Sequence, residues 1–320
     1  MKKKVLVTGN AGFIGFHLCN KLLDQGHIIV GIDNLNSYYD QKLKLSRNRQ
    51  LLNHQNFSFI QADINSLDYK NLNHFDIAVN LAAQPGVRLR KDKHYLYEHS
   101  NIKGFESFCN FCLKNNIDQV IYASSSSVYS DQGEGKFDEN STTLNPKSIY
   151  GKSKLENEFF AEQFSKKHNI SFVGLRFFSV YGPWGRPDMA YYSFTEAIKK
   201  NAQISLHNNG EMARDMTYID DVIEGIVGAI NFQFNNKKTP LNEVFNLGND
   251  HPIKTKQMLE TIESKLGSHA KIKNIRTTNE SLRTHANISK SRKLLGYSPK
   301  ISFNEGIVRF LDWHADYIRR

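Results

Sequence analysis

Three cysteines in 320 residues are too few to staple a fold, and the single C-x-x-C pair, Cys109 and Cys112, has no second Cys or His pair at zinc spacing. Both lie in an apolar helical stretch, residues 105–113, where cysteine behaves as a small hydrophobe; packing is expected there, with no metal and a reducing compartment. No apolar run approaches the ~20 residues of a membrane span, so no membrane partner is expected. No signal-like segment precedes the first apolar run, and the expected location is cytoplasmic. Basic stretches interleaved with stacking aromatics are missing too. Lys+Arg 42 against Asp+Glu 32 gives a net charge of +10, but the lysines are scattered, which argues against nucleic acid and suits phosphate-bearing ligands. Internal repeats and low-complexity tracts are absent.

What is present is alternation. Apolar, β-rich runs recur at residues 5–8, 28–33, 57–62, 77–82, 120–123 and 172–177, each separated from the next by a stretch able to cross over as a helix. That order predicts an α/β fold with a doubly wound parallel sheet, and the unbroken apolarity of residues 77–82 suits strands covered on both faces. At this length a large domain with a smaller lobe is expected. We place the first at 1–180, with return segments from 215–250, and a substrate lobe at 181–320. Helices are expected over 218–230, 255–266, 289–295 and 303–313, a short strand over 244–247, and a surface loop over 231–242.

Two motifs carry chemistry. Gly9-Asn10-Ala11-Gly12-Phe13-Ile14-Gly15 follows Val5-Leu6-Val7 directly, and its glycines let a strand turn into a helix and bring backbone N–H groups to a pyrophosphate. Asp33 ends the second apolar run 18 residues past Gly15, close to the ~20 expected of an acid that binds an adenosine ribose, and it favours NAD over NADP. Further on, Tyr150 and Lys154 stand four apart, on one face of a helix if residues 154–160 continue it. A nearby ammonium, helped by a positive nicotinamide, would pull the phenol from its ordinary ~10 towards the working pH and make Tyr150 a general base. The run Ser124-Ser125-Ser126-Ser127 would place hydroxyls at a strand's carboxyl end beside it.

These residues resemble the extended short-chain dehydrogenase/reductase family, within it the NAD-dependent nucleotide-sugar epimerases. The resemblance covers nearly the whole chain. It runs through Asp33-Asn34, Asp63-Ile64, Leu81-Ala82-Ala83-Gln84, Asn101, the serine run, Arg176-Phe177-Phe178-Ser179-Val180-Tyr181-Gly182-Pro183, Arg214-Asp215-Met216-Thr217-Tyr218 and Leu294-Leu295-Gly296-Tyr297-Ser298-Pro299. It implies a Rossmann-type fold with a smaller C-terminal α/β substrate lobe. It makes Tyr150 the base, Lys154 its activator and anchor for the nicotinamide ribose, and Ser125 the hydroxyl that bonds the reacting oxygen. Gly9, Gly12, Phe13, Ile14, Gly15, Asp33 and Asn34 would hold the dinucleotide, Asp63 and Ile64 flank its adenine, and Ala82, Ala83 and Asn101 line its cleft. Ser179, Arg214 and Arg283 would serve the substrate's diphosphate and its surroundings, and Glu280 its ribose. A homodimer through helices at 105–113 and 155–164 is also implied.

Within the family, Tyr181-Gly182-Pro183-Trp184-Gly185-Arg186-Pro187-Asp188-Met189-Ala190 and Ala83-Gln84-Pro85-Gly86-Val87-Arg88 resemble the UDP-glucuronate 4-epimerases, isomerases of nucleotide-sugar metabolism and polysaccharide biosynthesis. The acidic replacement expected of dehydratases in the serine run is absent. A 4-keto uronate is a β-keto acid that loses CO2 when its C–C bond aligns with the carbonyl, so the site must fix the carboxylate's plane. Arg186 and Arg88 are candidates, with Ser126 and Ser127 as supporting donors. The alternatives are a 4-epimerase of UDP-glucose or UDP-N-acetylglucosamine, a UDP-glucuronate decarboxylase and, more remotely, a non-catalytic NAD-binding regulator.

Overall fold

Val5 and Val7 pack into the apolar layer on one side of the first strand and Leu6 into the layer on the other, and all three are fully buried. A strand apolar on both faces needs a helix layer on each side, and this is what the computed structural model shows. It describes residues 2–66, 72, 74–129, 135–141, 144–236, 240–277 and 281–319. The first part of the chain runs β1 (Lys4–Thr8), α1 (Phe13–Asp24), β2 (Ile28–Asp33), α2 (Gln41–Leu51), β3 (Phe57–Gln61), β4 (Ile77–Asn80), the single turn α3 (Tyr95–Tyr97), α4 (Gly104–Lys114), β5 (Gln119–Ser125), α5 (Ile149–His168) and β6 (Ser171–Phe177). The second runs β7 (Ser179–Tyr181), α6 (Ala190–Lys199), β8 (Gln203–His207), β9 (Ala213–Tyr218), α7 (Ile219–Asn235), β10 (Asn242–Leu247), β11 (Pro252–Lys254), α8 (Thr255–Leu266), β12 (Lys271–Ile275), α9 (Ser289–Leu295) and α10 (Phe303–Arg319).

Seven strands form one parallel sheet in the order β10-β6-β5-β4-β1-β2-β3. The order reverses between β1 and β4, and there the carboxyl ends of the strands open a crevice where ligands bind in such sheets. Phe105, Phe108, Cys109, Phe111 and Cys112 of α4 join Ala161 and Phe164 of α5 on one face of the sheet; Phe16, Leu18, Cys19 and Leu22 of α1 and Val222 and Ile226 of α7 cover the other. All three cysteines are free and buried, and they serve packing. Among the described residues, no helix is long and apolar enough to cross a membrane.

The later part of the chain divides itself between layers. Its strand β10 is the edge of the central sheet, paired with β6 from Asn242 opposite Phe172 to Leu247 opposite Phe177. Its helix α7 covers that sheet, and outside it the later strands form the sheet β11-β9-β7 and the parallel pair β12-β8. A loop was expected over 231–242, but α7 continues to Asn235. The reason is tertiary: Phe232 meets the Phe245 ring at 5.4 Å, and the Gln233 amide donates to the carbonyls of Val120 and Ser171 at 3.0 and 3.1 Å. Short polar strands such as Lys271-Ile272-Lys273-Asn274-Ile275 escaped the sequence reading because they lack an apolar period and exist only by pairing, here with β8.

Candidate active site

The glycine turn is packed backbone against backbone. Gly9 has φ +75°, and a Cβ on it would lie 2.8 Å from both the Ala82 nitrogen and the Leu81 carbonyl carbon, so the turn after β1 presses on the segment after β4 at the switch point. A Cβ on Gly15 would stand 2.1 Å from the Gly9 carbonyl oxygen, which lets α1 start this close to the turn. No side chain caps α1 and no acid stands in its first turn, so its leading N–H groups and positive end face the cleft. At the end of β2, Asp33 is buried and accepts the Leu35 N–H at 2.7 Å. Burial pushes its carboxyl up; the charge of Lys44 and N–H groups of Leu35 and Ala11 pull it back, leaving a net rise. Asn34 donates to Asp63 at 2.9 Å. Burial works to raise the Asp63 carboxyl, but bonds from Asn65 and Asn34 prevail and hold it below its usual value.

The second motif is built by α5. Ser148 caps it by accepting the Gly151 N–H at 2.9 Å. A Cβ on Gly151 would sit 2.3 Å from the Ser127 carbonyl oxygen, so only glycine lets the helix start approach the serine turn at the end of β5. That approach brings Tyr150 close enough to Ser125 for its hydroxyl to act on the phenol, while that hydroxyl accepts the Ser127 N–H at 3.1 Å. Burial raises the Tyr150 phenol above its ordinary value, and the charge of Arg186 and the Ser125 bond oppose this without cancelling it. Lys154 is buried, donates to the Ala123 carbonyl at 2.9 Å and is lowered by burial to about 8. Its ammonium is committed to a carbonyl, and the protein cation that acts on Tyr150 is Arg186.

One cleft of about 680 Å³ joins these groups to residues of the later part of the chain. Gly9, Gly12, Phe13, Ile14, Gly15, Asp33, Asn34, Asp63, Ile64, Ala82, Ala83, Ser125, Tyr150 and Lys154 line it, and so do Arg88, Ser126, Ser127, Ser179, Arg186 and Arg214. Arg88 stands at the rim, 3.3 Å from the His207 Nε2. Two expected residues stand elsewhere. Asn101 is buried behind the wall, accepting the Gln84 N–H at 2.8 Å and donating to the Gln84 carbonyl and to Ser153; both of its amide atoms are used to tie the segment after β4 to α5. Arg283 does not line the cleft, since its Nη2 turns to His285 Nδ1 at 3.2 Å, whereas its neighbours Ser281 and Thr284 do. Glu280 lies outside the described residues. The sequence reading missed Tyr38, Tyr39 and Lys44, which line the cleft just beyond Asp33; their nearness in sequence to the ribose acid was the available signal.

A parallel sheet with a glycine turn at its switch point and a Tyr/Lys helix beside it defines a dinucleotide-dependent enzyme, and comparison with known proteins makes the class specific. The chain belongs to the NAD dependent epimerase/dehydratase family, whose model matches residues 5–248. It is 43% identical to protein MJ1055 of Methanocaldococcus jannaschii, over 98% of this chain and 97% of that one. It is 39% identical to UDP-glucuronate 4-epimerase 4 of Arabidopsis thaliana, over 98% of this chain and 75% of the relative. Among solved structures, UDP-glucuronic acid 4-epimerase from Bacillus cereus in complex with UDP-glucuronic acid and NAD superposes with a TM-score of 0.91 at 34% identity, covering 98% of this chain and 99% of that one.

Proposed function

We infer that this chain interconverts UDP-glucuronate and UDP-galacturonate, epimerising carbon 4 through a 4-keto intermediate with NAD as cofactor, as its similarity to UDP-glucuronate 4-epimerases supports. The observation that carries this reading is the meeting, in one cleft, of Tyr150, its Ser125 partner and the Arg186 guanidinium. The cleft suits NAD: the uncapped start of α1 offers N–H groups to a pyrophosphate, and the Asp33 carboxylate suits a ribose hydroxyl and would repel a 2′-phosphate. When bound, NAD supplies a two-electron acceptor that takes a hydride from carbon 4 and returns it to the opposite face.

The remaining work falls to side chains. Tyr150 takes the proton from the 4-hydroxyl, with Ser125 bonded to the same oxygen, and returns it after the sugar has turned its other face. Lys154, at the same end of the cleft, holds the nicotinamide ribose. Ser179 and Arg214 serve the diphosphate, and Ser281 and Thr284 extend that end. Arg186, with the hydroxyls of Ser126 and Ser127, fixes the plane of the carboxylate so that its C–C bond stays out of line with the 4-keto π system and CO2 is retained. We also propose a homodimer through α4 and α5, where Phe159 is 58% exposed.

Incubation with UDP-glucuronate followed by separation of the products tests the reading. UDP-galacturonate is expected. UDP-pentose with CO2 would make the protein a decarboxylase, and bound NAD without turnover of any UDP-sugar would make it a regulator.

A further inference from the structure

Arg186 stands on the loop between β7 and α6, and that loop is held from two sides. From beneath, Arg47 of α2 is fully buried and donates from Nη2 to the carbonyls of Trp184 and Gly185. Its Nη1 donates to the Ala11 carbonyl at 2.9 Å and the Tyr39 hydroxyl at 2.7 Å, so the base of the loop is tied to the glycine turn. The hold is needed, because Trp184 has φ +59°, a left-handed conformation that a bulky residue adopts only under constraint. From the front, Asp188 takes one edge of the Arg186 fork: Nε donates to Oδ1 at 3.0 Å and Nη2 to Oδ2 at 2.7 Å. Tyr38 donates its hydroxyl to the same Oδ2 at 3.2 Å from the loop after β2. A Cβ on Gly86 would stand 2.4 Å from the Tyr38 hydroxyl, so the segment after β4 closes over the same group.

We propose that Asp188 is a positioning residue that sets carboxylate specificity by occupying the Nε/Nη2 edge of Arg186, whose Nη2 also reaches the Met189 Sδ at 3.8 Å, and so presenting Nη1 to the substrate. This rests on the uronate reading above. A guanidinium carries five N–H donors in one plane, and a carboxylate can pair with it along more than one edge. With one edge filled and Asp188 itself anchored by Tyr38, the plane of the fork is set before substrate arrives, and little rotational freedom is lost on binding. The substrate carboxylate then docks in a single plane, the condition for retaining CO2. Burial works to raise the Asp188 carboxyl, but the Arg186 pair prevails and holds it below its usual value, so the anchor stays ionised at neutral pH.

The test compares full-length wild type, Asp188→Ala and Asp188→Asn with NAD present. In Asp188→Ala the KM for UDP-glucuronate should rise about tenfold or more, with kcat changed less than about threefold, as expected when a carboxylate-binding group loses its preorganisation while the reacting centre is untouched. Release of CO2 per turnover should rise, while the inhibition constant of the neutral UDP-glucose stays put. Asp188→Asn keeps one acceptor oxygen for the fork and should fall between. If UDP-glucuronate and UDP-glucose lose affinity equally, Asp188 merely braces the loop and the proposal is overturned. A wild type that epimerises UDP-glucuronate beside an Asp188→Ala variant with the same KM and CO2 yield overturns it too, and leaves the epimerase reading standing. A wild type inert towards both uronates overturns the reading and this proposal with it.

Discussion

Tyr150, Lys154 and Glu158 form one stripe on α5, four residues apart, and the two halves of that stripe treat a buried charge in opposite ways. Lys154 is buried with a carbonyl as its partner, and burial brings it down to about 8. One turn on, Glu158 meets the buried Arg176 through two bonds, Nε to Oε1 at 2.9 Å and Nη2 to Oε2 at 2.7 Å, and accepts the Ser124 hydroxyl as well. Arg176 donates its remaining arm to Tyr129, whose hydroxyl donates to Asn246 of β10. Burial opposes the Arg176 charge, but Glu158 overrides it and leaves the guanidinium more firmly protonated than usual. The paired charges are scaffold, locking α5 to β5, β6 and β10. The cation without a carboxylate keeps its proton loosely and its field unneutralised, which is costly for folding and useful for chemistry.

Tyr150 stands at the reactive end of the stripe. Tyr150→Phe removes only the ionisable oxygen, and kcat should fall by ~10²–10⁴-fold with NAD and UDP-sugar binding retained. A loss below about tenfold would give the proton transfer to another group. Next comes the scaffold half: Glu158→Ala strands a buried guanidinium and should cost ~3–5 kcal/mol in urea denaturation. A cost under ~1 kcal/mol would show that the pair does not hold the layers together.

Lys154→Met should separate activity from stability. The folded value of about 8 lies below the ordinary lysine value, so between the two the unfolded chain binds more protons than the folded one. The burial penalty is full at pH 7 and is relieved as pH rises from about 8 through the ordinary lysine value. The variant should therefore lose turnover yet unfold at higher urea than wild type at pH 7, by up to ~3 kcal/mol, with the gap closing towards pH 10. A less stable variant at pH 7 would show that the buried ammonium stabilises the fold instead of costing it. The smallest effect concerns the corresponding anion. Asp33→Asn should weaken NAD binding by ~1.5–3 kcal/mol, read as a dissociation constant, without change in the fold.

How much of this was legible in the sequence depends on distance along the chain. The glycine turn, the place of Asp33 at the end of β2 and the first strands were legible because each motif is contiguous and carries its own period or spacing. Tyr150 and Lys154 were legible as a helical pair, but the charge state of that pair was not, since it depends on Ala123, Ser125 and Arg186 arriving from other elements. Asn101 was a cleft residue by resemblance and proved to be a tie behind the wall, because its partners Gln84 and Ser153 are neighbours only in the fold.

By itself the sequence determined the parallel sheet, the dinucleotide turn at its switch point and the placement of Tyr150 and Lys154 on one helix face. These follow from apolar period, glycine placement and i,i+4 spacing, all local properties of the chain. Only the tertiary structure decided which charges are neutralised. Arg176 finds Glu158 across 18 residues, Arg47 bridges the carbonyl of Ala11 to those of Trp184 and Gly185, and Arg186 gives one edge to Asp188. A charge is felt through whatever lies within a few ångströms and however little water remains there, and neither quantity is written in the order of residues.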